Sequence, residues 1–403
     1  MVGVRLDPWR QPGRCICGCM VVKRGRGKMG GKVLLVGNTS FSLLHYRLPL
    51  MRELIVRGME VVAAANDEEG YGERFRELGV RFMPLGIDHK GLNPFVDAML
   101  LLRLAGLYWR ERPRVVHHFT IKPVIYGSLA GRMIGVPHIV NTVTGLGYAL
   151  MKRGILRSLV VRMYRVSVSR RCGMIFQNRA DMEEFCRLGI GGVRRVVIEG
   201  SGVDTNELRP REGLEQRSGV RFAYIGRMLV SKGVLDFIDA ARVVKQRYSQ
   251  ARFVMAGGSS GGGAKAARDA IACEWLESVN REGVVRWIGR VPFERVKDLL
   301  DWTDVVVLPS RYREGLSRCL IEAAAKGKAI IAANVPGCRE VVVEGKNGYL
   351  VWPGDVDGLA RRMISFVERP DLVRTMGCFS RKIAVERFDA RKVVQETMCF
   401  YPE

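Results

Sequence analysis

The sequence lacks any uninterrupted apolar run of the roughly 18 residues that a membrane-spanning helix requires. Its first 30 residues are basic and Gly-rich, without the apolar centre of a secretory signal peptide. Its ten cysteines are not paired at zinc-site spacing, and Cys15, Cys17 and Cys19 have one-residue gaps that fit tetrahedral zinc poorly. We therefore expect an intracellular chain with reduced thiols rather than an integral membrane, secreted or zinc protein.

Acidic residues are scarce as well. The chain has 41 Asp and Glu against 65 Lys and Arg, a formal net charge of +24, divided as +17 over residues 1–200 and +7 over the remainder. A basic half suggests a polyanionic partner: a nucleic acid, an acidic membrane surface or a phosphorylated substrate. Solubility alone is the alternative explanation of the charge. No helix-turn-helix, RNA-recognition or zinc-finger pattern is present, so no nucleic-acid partner is expected.

Residues 147–171 combine Leu, Val, Met and Tyr with seven Lys and Arg and no acid. Such a segment can lie in an anionic membrane interface. An ordinary domain helix with a basic outer face is the equally compatible alternative.

Strand-like runs such as "KVLLVG", "RFAYIG" and "DVVVLPS" alternate with helical stretches, which predicts an α/β fold with parallel sheets. The strand–turn–helix opening at residue 32 recurs near residue 219, so we expect two Rossmann-like, doubly wound domains facing a cleft. The predicted organisation is a basic extension (1–31), a first domain (32–200), a polar linker (201–218), a second domain (219–380) and a C-terminal segment (381–403).

The turn "GRMLVSKG" sets Arg227 directly after a strand and Lys232 near a helix start, with Gly226 and Gly233 allowing close backbone approach. Two cations, backbone amides and a helix N-terminus can bind a diphosphate. On its own the pattern is weak, because surface Arg and Lys are common at helix starts.

A later turn, after "DVVVLPS", holds Glu314, Gly315 and Leu316, and the helix that follows holds Glu322. Free amides of Gly315 and Leu316 could bind phosphate oxygens, and a carboxylate two turns on could accept hydrogen bonds from a ribose diol. The apolar setting "LIEAAA" argues that Glu322 has a buried partner rather than a solvated side chain.

The eight-residue separation of Glu314 and Glu322, with "YIGRMLVSKG" and residues 310–351, resembles the retaining glycosyltransferases of family four. The resemblance covers nearly the whole chain after residue 31. It implies a GT-B fold, with the donor bound mainly by the second domain and the acceptor by the first. It also implies that the last helix, near Arg381 to Phe400, crosses back onto the first domain.

The stretch "HHFTIKPVIYGSLAGRMIGVPHIVNTVTGLGY" resembles the subgroup that builds capsular, O-antigen and other lipid-linked oligosaccharides. That resemblance implies a UDP-sugar donor, a polyprenyl-diphosphate-linked acceptor, and a cytoplasmic enzyme held peripherally at the inner face of the membrane. The transferred group would be a hexose or N-acetylhexosamine. A glycosyltransferase with a soluble acceptor and a UDP-N-acetylglucosamine 2-epimerase-like enzyme are the alternatives.

By position, the resemblance implies that Arg227 and Lys232 bind the donor diphosphate and stabilise departing UDP, and that Glu322 binds the ribose. Glu314 would contact the transferred sugar beside the Gly315 and Leu316 amides. The remaining donor-site candidates are Gly37 and Gly226.

On the acceptor side the sequence departs from many members of the family, which have a His-x-His motif at the end of the strand "VVHHF". Phe119 takes the place of the second histidine of that motif. Lys122 and His118 are the acceptor-site candidates. A solvated loop lysine and a core histidine are the respective alternatives. No Asp-x-Asp stands near the diphosphate turns, and "DVD" at 355–357 lies in a late loop, so we expect no obligatory metal or other cofactor.

Overall fold

The computed structural model describes residues 30–67, 70–87, 93–147, 150, 154–169, 172–191, 194–211, 219–259 and 269–402. Nearly all of the predicted basic extension, residues 212–218 of the predicted linker and residues 260–268 of the second domain lie outside the described residues. The two-domain α/β prediction can be judged on the rest.

The first sheet has seven parallel strands in the order β3-β2-β1-β4-β5-β6-β7. Its strands are Lys32–Thr39 (β1), Glu60–Asn66 (β2), Arg81–Pro84 (β3), Val115–Phe119 (β4), His138–Val143 (β5), Cys172–Phe176 (β6) and Arg194–Val197 (β7). Chain order reverses between β1 and β4, which pair in register from Val33 opposite Val115. Parallel doubly wound sheets bind ligands at such a reversal, beyond the carboxyl ends of the strands.

Helices cover both faces of this sheet, so its inner strands β1, β2, β4, β5 and β6 are buried almost throughout rather than alternating between buried and exposed residues. They are Ser40–Val56 (α1), Gly72–Glu77 (α2), Pro94–Glu111 (α3), Ser128–Ile134 (α4), Ile155–Ser167 (α5) and Arg179–Arg187 (α6). A turn of π-helix, Pro123–Gly127, leads into α4. Thr39 and Asn93 cap α1 and α3 by accepting hydrogen bonds from backbone amides of the first turn.

The second sheet has six parallel strands in the order β10-β9-β8-β11-β12-β13. Its strands are Arg221–Ile225 (β8), Arg252–Ala256 (β9), Arg286–Trp287 (β10), Val305–Leu308 (β11), Ala329–Ala333 (β12) and Gly348–Val351 (β13). The reversal falls between β8 and β11. Both predicted turns, after β8 and after β11, therefore open into the same crevice.

The helices of the second half alternate with these strands. They are Val234–Arg247 (α7), Cys273–Glu282 (α8), Val296–Trp302 (α9), Arg318–Ala325 (α10), Pro336–Arg339 (α11), Val356–Glu368 (α12), Asp371–Arg387 (α13) and Ala390–Met398 (α14). Two doubly wound parallel sheets are the predicted fold class, and that prediction is confirmed.

The last two helices serve different sheets. Helix α13 packs on the second domain, and Arg381 within it bonds the carbonyl oxygens of Thr205, Leu208 and Ala325. The backbone then pairs Asp389 with Val203. Beyond that point α14 packs on α1, with its buried side chains in the core beside β1 and β2. The chain thus returns to the first domain after Arg387, and the domain limits themselves stay predictions.

Candidate active site

An ion pair occupies the crevice of the second sheet. A short 3₁₀ turn after β8, Val230–Lys232, directs the Lys232 ammonium to the Glu314 carboxylate, which is 8% exposed. Ser310, just beyond β11, donates a hydrogen bond of 2.9 Å to Oε1 of Glu314. Gly233 makes this approach possible, since it has φ +76° and a Cβ there would lie 2.0 Å from the Pro309 carbonyl oxygen.

Arg227 lies on the solvent side of the same turn. Its backbone carbonyl accepts a hydrogen bond of 2.9 Å from the Tyr224 hydroxyl, which fixes the turn behind Gly226. The Arg227 side chain is exposed and has no hydrogen-bond or ion-pair partner among the described residues. It is therefore a cation available to a ligand, whereas Lys232 is already neutralised by Glu314.

The Gly315–Leu316 turn precedes α10 and faces the first domain. No described residue accepts a hydrogen bond from either amide. Asn178 of the first domain donates to the Gly315 carbonyl oxygen over 3.1 Å. A Cβ at Gly315 would lie 2.0 Å from the Thr144 carbonyl oxygen, so glycine alone fits here. The two domains therefore meet at the predicted phosphate-binding amides.

Glu322 has the buried partner that its apolar surroundings require. It is 6% exposed, and Arg318, one turn earlier on α10, donates from Nε to its Oε1 over 2.7 Å. The same guanidinium donates from Nη1 to Ser201 Oγ at 2.9 Å and to the Gly202 carbonyl oxygen at 3.1 Å. Arg318 thus joins Glu322 to the stretch between the domains. Sequence reasoning missed it, although an Arg–Glu pair four residues apart on a helix is a recognisable signal.

Aromatic side chains surround the other side of Arg318. Its guanidinium carbon lies 4.9 Å from the ring centre of Tyr46 on α1 and 5.5 Å from that of Phe293. Both distances are within the range of cation–π attraction. Contacts from α1, the linker and the second domain therefore hold one partly buried cation beside the predicted ribose-binding carboxylate.

The crevice of the first sheet lies beyond Gly37, at the carboxyl ends of β1 and β4. Asn38 Oδ1 and Thr120 Oγ1 are buried there without a hydrogen-bond partner among the described residues. Thr120 also has φ +74°, a strained value for a β-branched residue. Unsatisfied buried polar atoms are costly, so this crevice is suited to a polar ligand. Neither residue was predicted from its sequence pattern.

Phe119 and its neighbour Arg47 line the same region. The Arg47 guanidinium lies over the Phe119 ring, 4.3 Å from its centre. Burial, with a smaller contribution from nearby Arg318, lowers the pKa of Arg47 to about 10. The position that is histidine in many relatives therefore presents an aromatic face to a cation.

The two acceptor-site candidates are occupied by contacts within the first domain. Lys122 donates to Asp97 Oδ1 over 2.5 Å, and Tyr126 donates to the other oxygen of Asp97 over 2.9 Å. The Lys122 ammonium is therefore paired within the first domain, and its part in acceptor binding stays a prediction. The pairing joins residues 25 positions apart, which the sequence pattern does not reveal.

His118 is fully buried, with Tyr108 at 2.9 Å from Nε2 and Asn141 at 2.8 Å from Nδ1. Burial lowers its pKa to about 4, so the ring is neutral at pH 7. These contacts favour the core-histidine alternative over an acceptor contact.

A metal site is not evident in the described part of the chain, where no group of three or more His, Cys, Asp or Glu could hold an ion. Asp355 of the "DVD" stretch caps α12, accepting from the Gly358 amide at 2.8 Å. None of the helices in the described ranges is long and apolar enough to cross a membrane.

Comparison with known families gives two adjacent matches. Residues 45–200 match the model "Glycosyl transferase 4-like domain", and residues 205–383 match "Glycosyl transferases group 1". The second match contains every donor-site candidate except Gly37.

Two proteins of similar sequence are named as transferases that act on lipid-linked sugars. N,N'-diacetylbacillosaminyl-diphospho-undecaprenol alpha-1,3-N-acetylgalactosaminyltransferase of Campylobacter jejuni is 24% identical over 92% of this chain and 98% of its own length. UDP-Gal:alpha-D-GlcNAc-diphosphoundecaprenol alpha-1,3-galactosyltransferase of Escherichia coli is 25% identical over 68% of this chain and 72% of its own.

Solved structures share the fold at low identity. Anabaena Alr3699/HepE in complex with UDP-glucose has a TM-score of 0.73 and 19% identity, covering 92% of this chain and 99% of that one. WaaG, a glycosyltransferase involved in lipopolysaccharide biosynthesis, has a TM-score of 0.71 and 12% identity, covering 92% and 100%. The predicted GT-B fold is confirmed.

Proposed function

Because the chain belongs to the group 1 glycosyl transferases and is a glycosyltransferase, we propose that it transfers a hexose or N-acetylhexosamine from a UDP-sugar, with retention, to a polyprenyl-diphosphate-linked sugar. The observation that carries the donor assignment is the crevice between β8 and β11, where Lys232, Glu314 and the unbonded amides of Gly315 and Leu316 converge. The names of the similar lipid-linked transferases support the acceptor class.

In this proposal the donor diphosphate lies against Lys232, Arg227 and the Gly315–Leu316 amides. Helix N-terminal amides and cations together bind phosphate oxygens well. The diphosphate competes with Glu314 for the Lys232 ammonium, and the carboxylate released from that pair accepts hydrogen bonds from the transferred sugar. Glu322, oriented by Arg318, accepts hydrogen bonds from the ribose hydroxyls.

Charge development gives the two cations their catalytic role. The oxygen that bridges sugar and diphosphate becomes more negative as the glycosidic bond breaks. Cations already fixed beside it stabilise that state more than the bound donor. The proposal assigns retention to return of the acceptor oxygen on the face that UDP leaves, since no carboxylate is assigned as a nucleophile. Neither a metal nor another cofactor is part of this mechanism.

The acceptor, in this proposal, occupies the crevice of the first sheet near Asn38 and Thr120, whose buried oxygens lack partners in the described structure. Its lipid carrier is membrane-bound, so the enzyme works at the cytoplasmic face of the membrane as a peripheral protein. The basic first half is suited to an anionic carrier and an anionic surface.

A donor screen followed by an acceptor assay tests the proposal. Calorimetry and hydrolysis with a panel of UDP-sugars should identify a donor, and transfer to a defined polyprenyl-diphosphate sugar should then give a lipid-soluble product. NMR of the new anomeric centre should show the donor's configuration. A water-soluble product would favour the soluble-acceptor alternative, a modified free sugar would favour the epimerase alternative, and an inverted centre would overturn retention.

A further inference from the structure

Helix α3 is apolar on two opposite sides. Its inner side packs in the first-domain core through Leu100, Leu104, Leu107 and Tyr108. Its outer side carries a second line of large apolar side chains at helical spacing, which are Phe95 (85% exposed), Met99 (50%), Leu102 (62%) and Trp109 (66%). A helix that packs in a core normally has one apolar side and one polar side. The outer line therefore needs an explanation other than folding.

Two neighbouring helices extend this line into a surface. Helix α4, which packs beside α3, exposes Met133 and Ile134, and the adjoining α5 exposes Ile155, Leu159 and Val166. With Val96, these three helices carry ten of the sixteen exposed large apolar side chains in the described ranges. We name the exposed apolar residues of α3, α4 and α5 the apolar face. Large exposed apolar side chains clustered on neighbouring helices mark a candidate interaction site.

The exposed charged side chains of these three helices are all positive. Their exposed cations are Arg103, Arg110, Arg132, Arg162 and Arg165. Their only acids are Asp97, which is paired with Lys122, and Glu111, which is 7% exposed and bonded to Lys32 and Arg81. Apolar side chains surrounded by arginine, with no exposed acid, complement an apolar layer beneath negative headgroups.

The apolar face also adjoins the acceptor crevice. Phe95 starts the outer line of α3, and Asp97 of the same turn bonds Lys122, which follows the carboxyl end of β4. Thr120, whose buried hydroxyl has no hydrogen-bond partner among the described residues, lies in that connection. A lipid whose chain stays in the bilayer beneath the apolar face could thus bring its headgroup to the crevice of the first sheet.

We propose that the apolar face docks on an anionic bilayer, with Phe95, Met99, Leu102 and Trp109 entering the headgroup boundary. This inference deepens the proposed function by assigning the surface through which the enzyme meets its lipid substrate, and it rests on that function only for its biological setting. It also moves the centre of the membrane contact from residues 147–171, which contain α5, to α3.

The test compares two quadruple variants. Phe95→Ser/Met99→Ser/Leu102→Ser/Trp109→Ser removes the outer line of α3. Val243→Ser/Trp275→Ser/Trp352→Ser/Val385→Ser removes four exposed apolar side chains from the second half and serves as the control. Sedimentation uses phosphatidylcholine vesicles with about one-third phosphatidylglycerol, an anionic lipid. The α3 variant should lose at least about tenfold in partitioning, because it no longer inserts apolar surface, while the control changes by less than about twofold.

A second readout does not depend on four substitutions being tolerated. Lipids brominated near the headgroup should quench tryptophan fluorescence of the wild type, and Trp109→Phe alone should abolish most of that quenching while circular dichroism stays unchanged. Unchanged partitioning of the α3 variant, or a wild type that ignores anionic vesicles, would overturn the docking proposal. The proposal would also be overturned if light scattering showed a wild-type dimer and the α3 variant were a monomer that still binds vesicles. The apolar face would then join two copies of the chain.

The docking test and the function test can fail separately. Transfer is also assayed on a short-chain acceptor in detergent, where no bilayer is needed. Retained transfer with unaltered vesicle binding by the α3 variant would refute docking alone. Absent transfer in detergent by the wild type, with vesicle binding lost in the α3 variant, would refute the proposed function alone.

Discussion

The guanidinium of Arg318 donates a 2.7 Å hydrogen bond to the carboxylate of Glu322. The same guanidinium also donates to Ser201 in the stretch between the domains. One cation thus orients the proposed ribose-binding group and links it to the predicted linker. The two residues lie four apart on α10, so removing either one changes the environment of the other.

Glu322→Ala should weaken UDP binding by roughly tenfold to more than a hundredfold. The variant loses a hydrogen bond to a charged group, worth about 1.5–3 kcal/mol, and leaves Arg318 without its carboxylate. Calorimetry with UDP measures the change, and Glu386→Ala on the surface of α13 is the control. A folded Glu322→Ala protein with wild-type affinity would remove Glu322 from the donor site.

Arg318→Ala should also weaken UDP binding, and its effect should not add to that of Glu322→Ala. Residues that act through one hydrogen bond show coupling of about 0.5–3 kcal/mol in a double-mutant cycle. Calorimetry with UDP on the wild type, the two single variants and the double variant gives the coupling energy. Strict additivity would mean that Arg318 only joins the domains and does not orient Glu322.

Lys232→Ala should lower kcat on the order of a hundredfold or more while changing donor affinity less. The Lys232 ammonium would lie where negative charge grows as UDP departs, so its loss affects the transition state most. Steady-state kinetics with a defined donor and acceptor separate kcat from KM, and Lys297→Ala on α9 is the control. A normal kcat with a raised donor KM would make Lys232 a binding residue only. Arg227→Ala should follow the same pattern.

Replacing Arg162 and Arg165 by Gln should weaken binding to anionic vesicles and reduce its salt dependence. Each charge near such a surface contributes about 1 kcal/mol at most. Arg157→Gln should contribute less, because Arg157 is paired with Glu184 at 2.9 Å. Arg153, the remaining arginine of interest in 147–171, lies outside the described residues. Equal sedimentation of the double variant and the wild type at low salt would exclude α5 from the membrane contact.

Stability should fall as the pH is lowered from about 6.5 to about 4. His118 has a folded pKa of about 4 against 6.5 as the ordinary value, because burial disfavours its charged form. The unfolded chain therefore binds a proton first, and stability is lost through this window. The loss from His118 is on the order of 3 kcal/mol, and buried His117, whose pKa is also lowered, adds to it. Urea unfolding at several pH values measures the slope, and His118→Asn should flatten it.

Local patterns were enough to predict the two sheets, because a buried parallel strand is a continuous apolar run and its turn is polar. The same patterns predicted that Lys232 and Glu314 lie at one crevice, since the turns that follow neighbouring parallel strands lie at the same edge of the sheet. The sequence could not predict that these two residues neutralise each other, nor that Lys122 is paired with Asp97. Both pairings join elements far apart in the chain, and their geometry depends on how helices pack on the sheets.

The requirement for glycine at position 315 shows the same limit. It arises from the Thr144 carbonyl oxygen of the other domain, 171 positions earlier in the chain. The neighbouring sequence alone explains the glycine at position 315 only by phosphate binding. The structure adds contact between the domains as an independent reason for the missing side chain.

The return of α14 to the first domain has a consequence for biosynthesis. Val393, Val394, Met398 and Tyr401 fill the core beside β1 and β2, and Tyr401 bonds His117 on β4 at 2.7 Å. A ribosome makes these residues only after it has made the entire second domain. The first domain therefore leaves the ribosome with part of one side of its sheet uncovered, and a nascent chain that stalls before residue 390 exposes an apolar surface to chaperones. For this protein, the core of the N-terminal half is complete only after the last helix has been made.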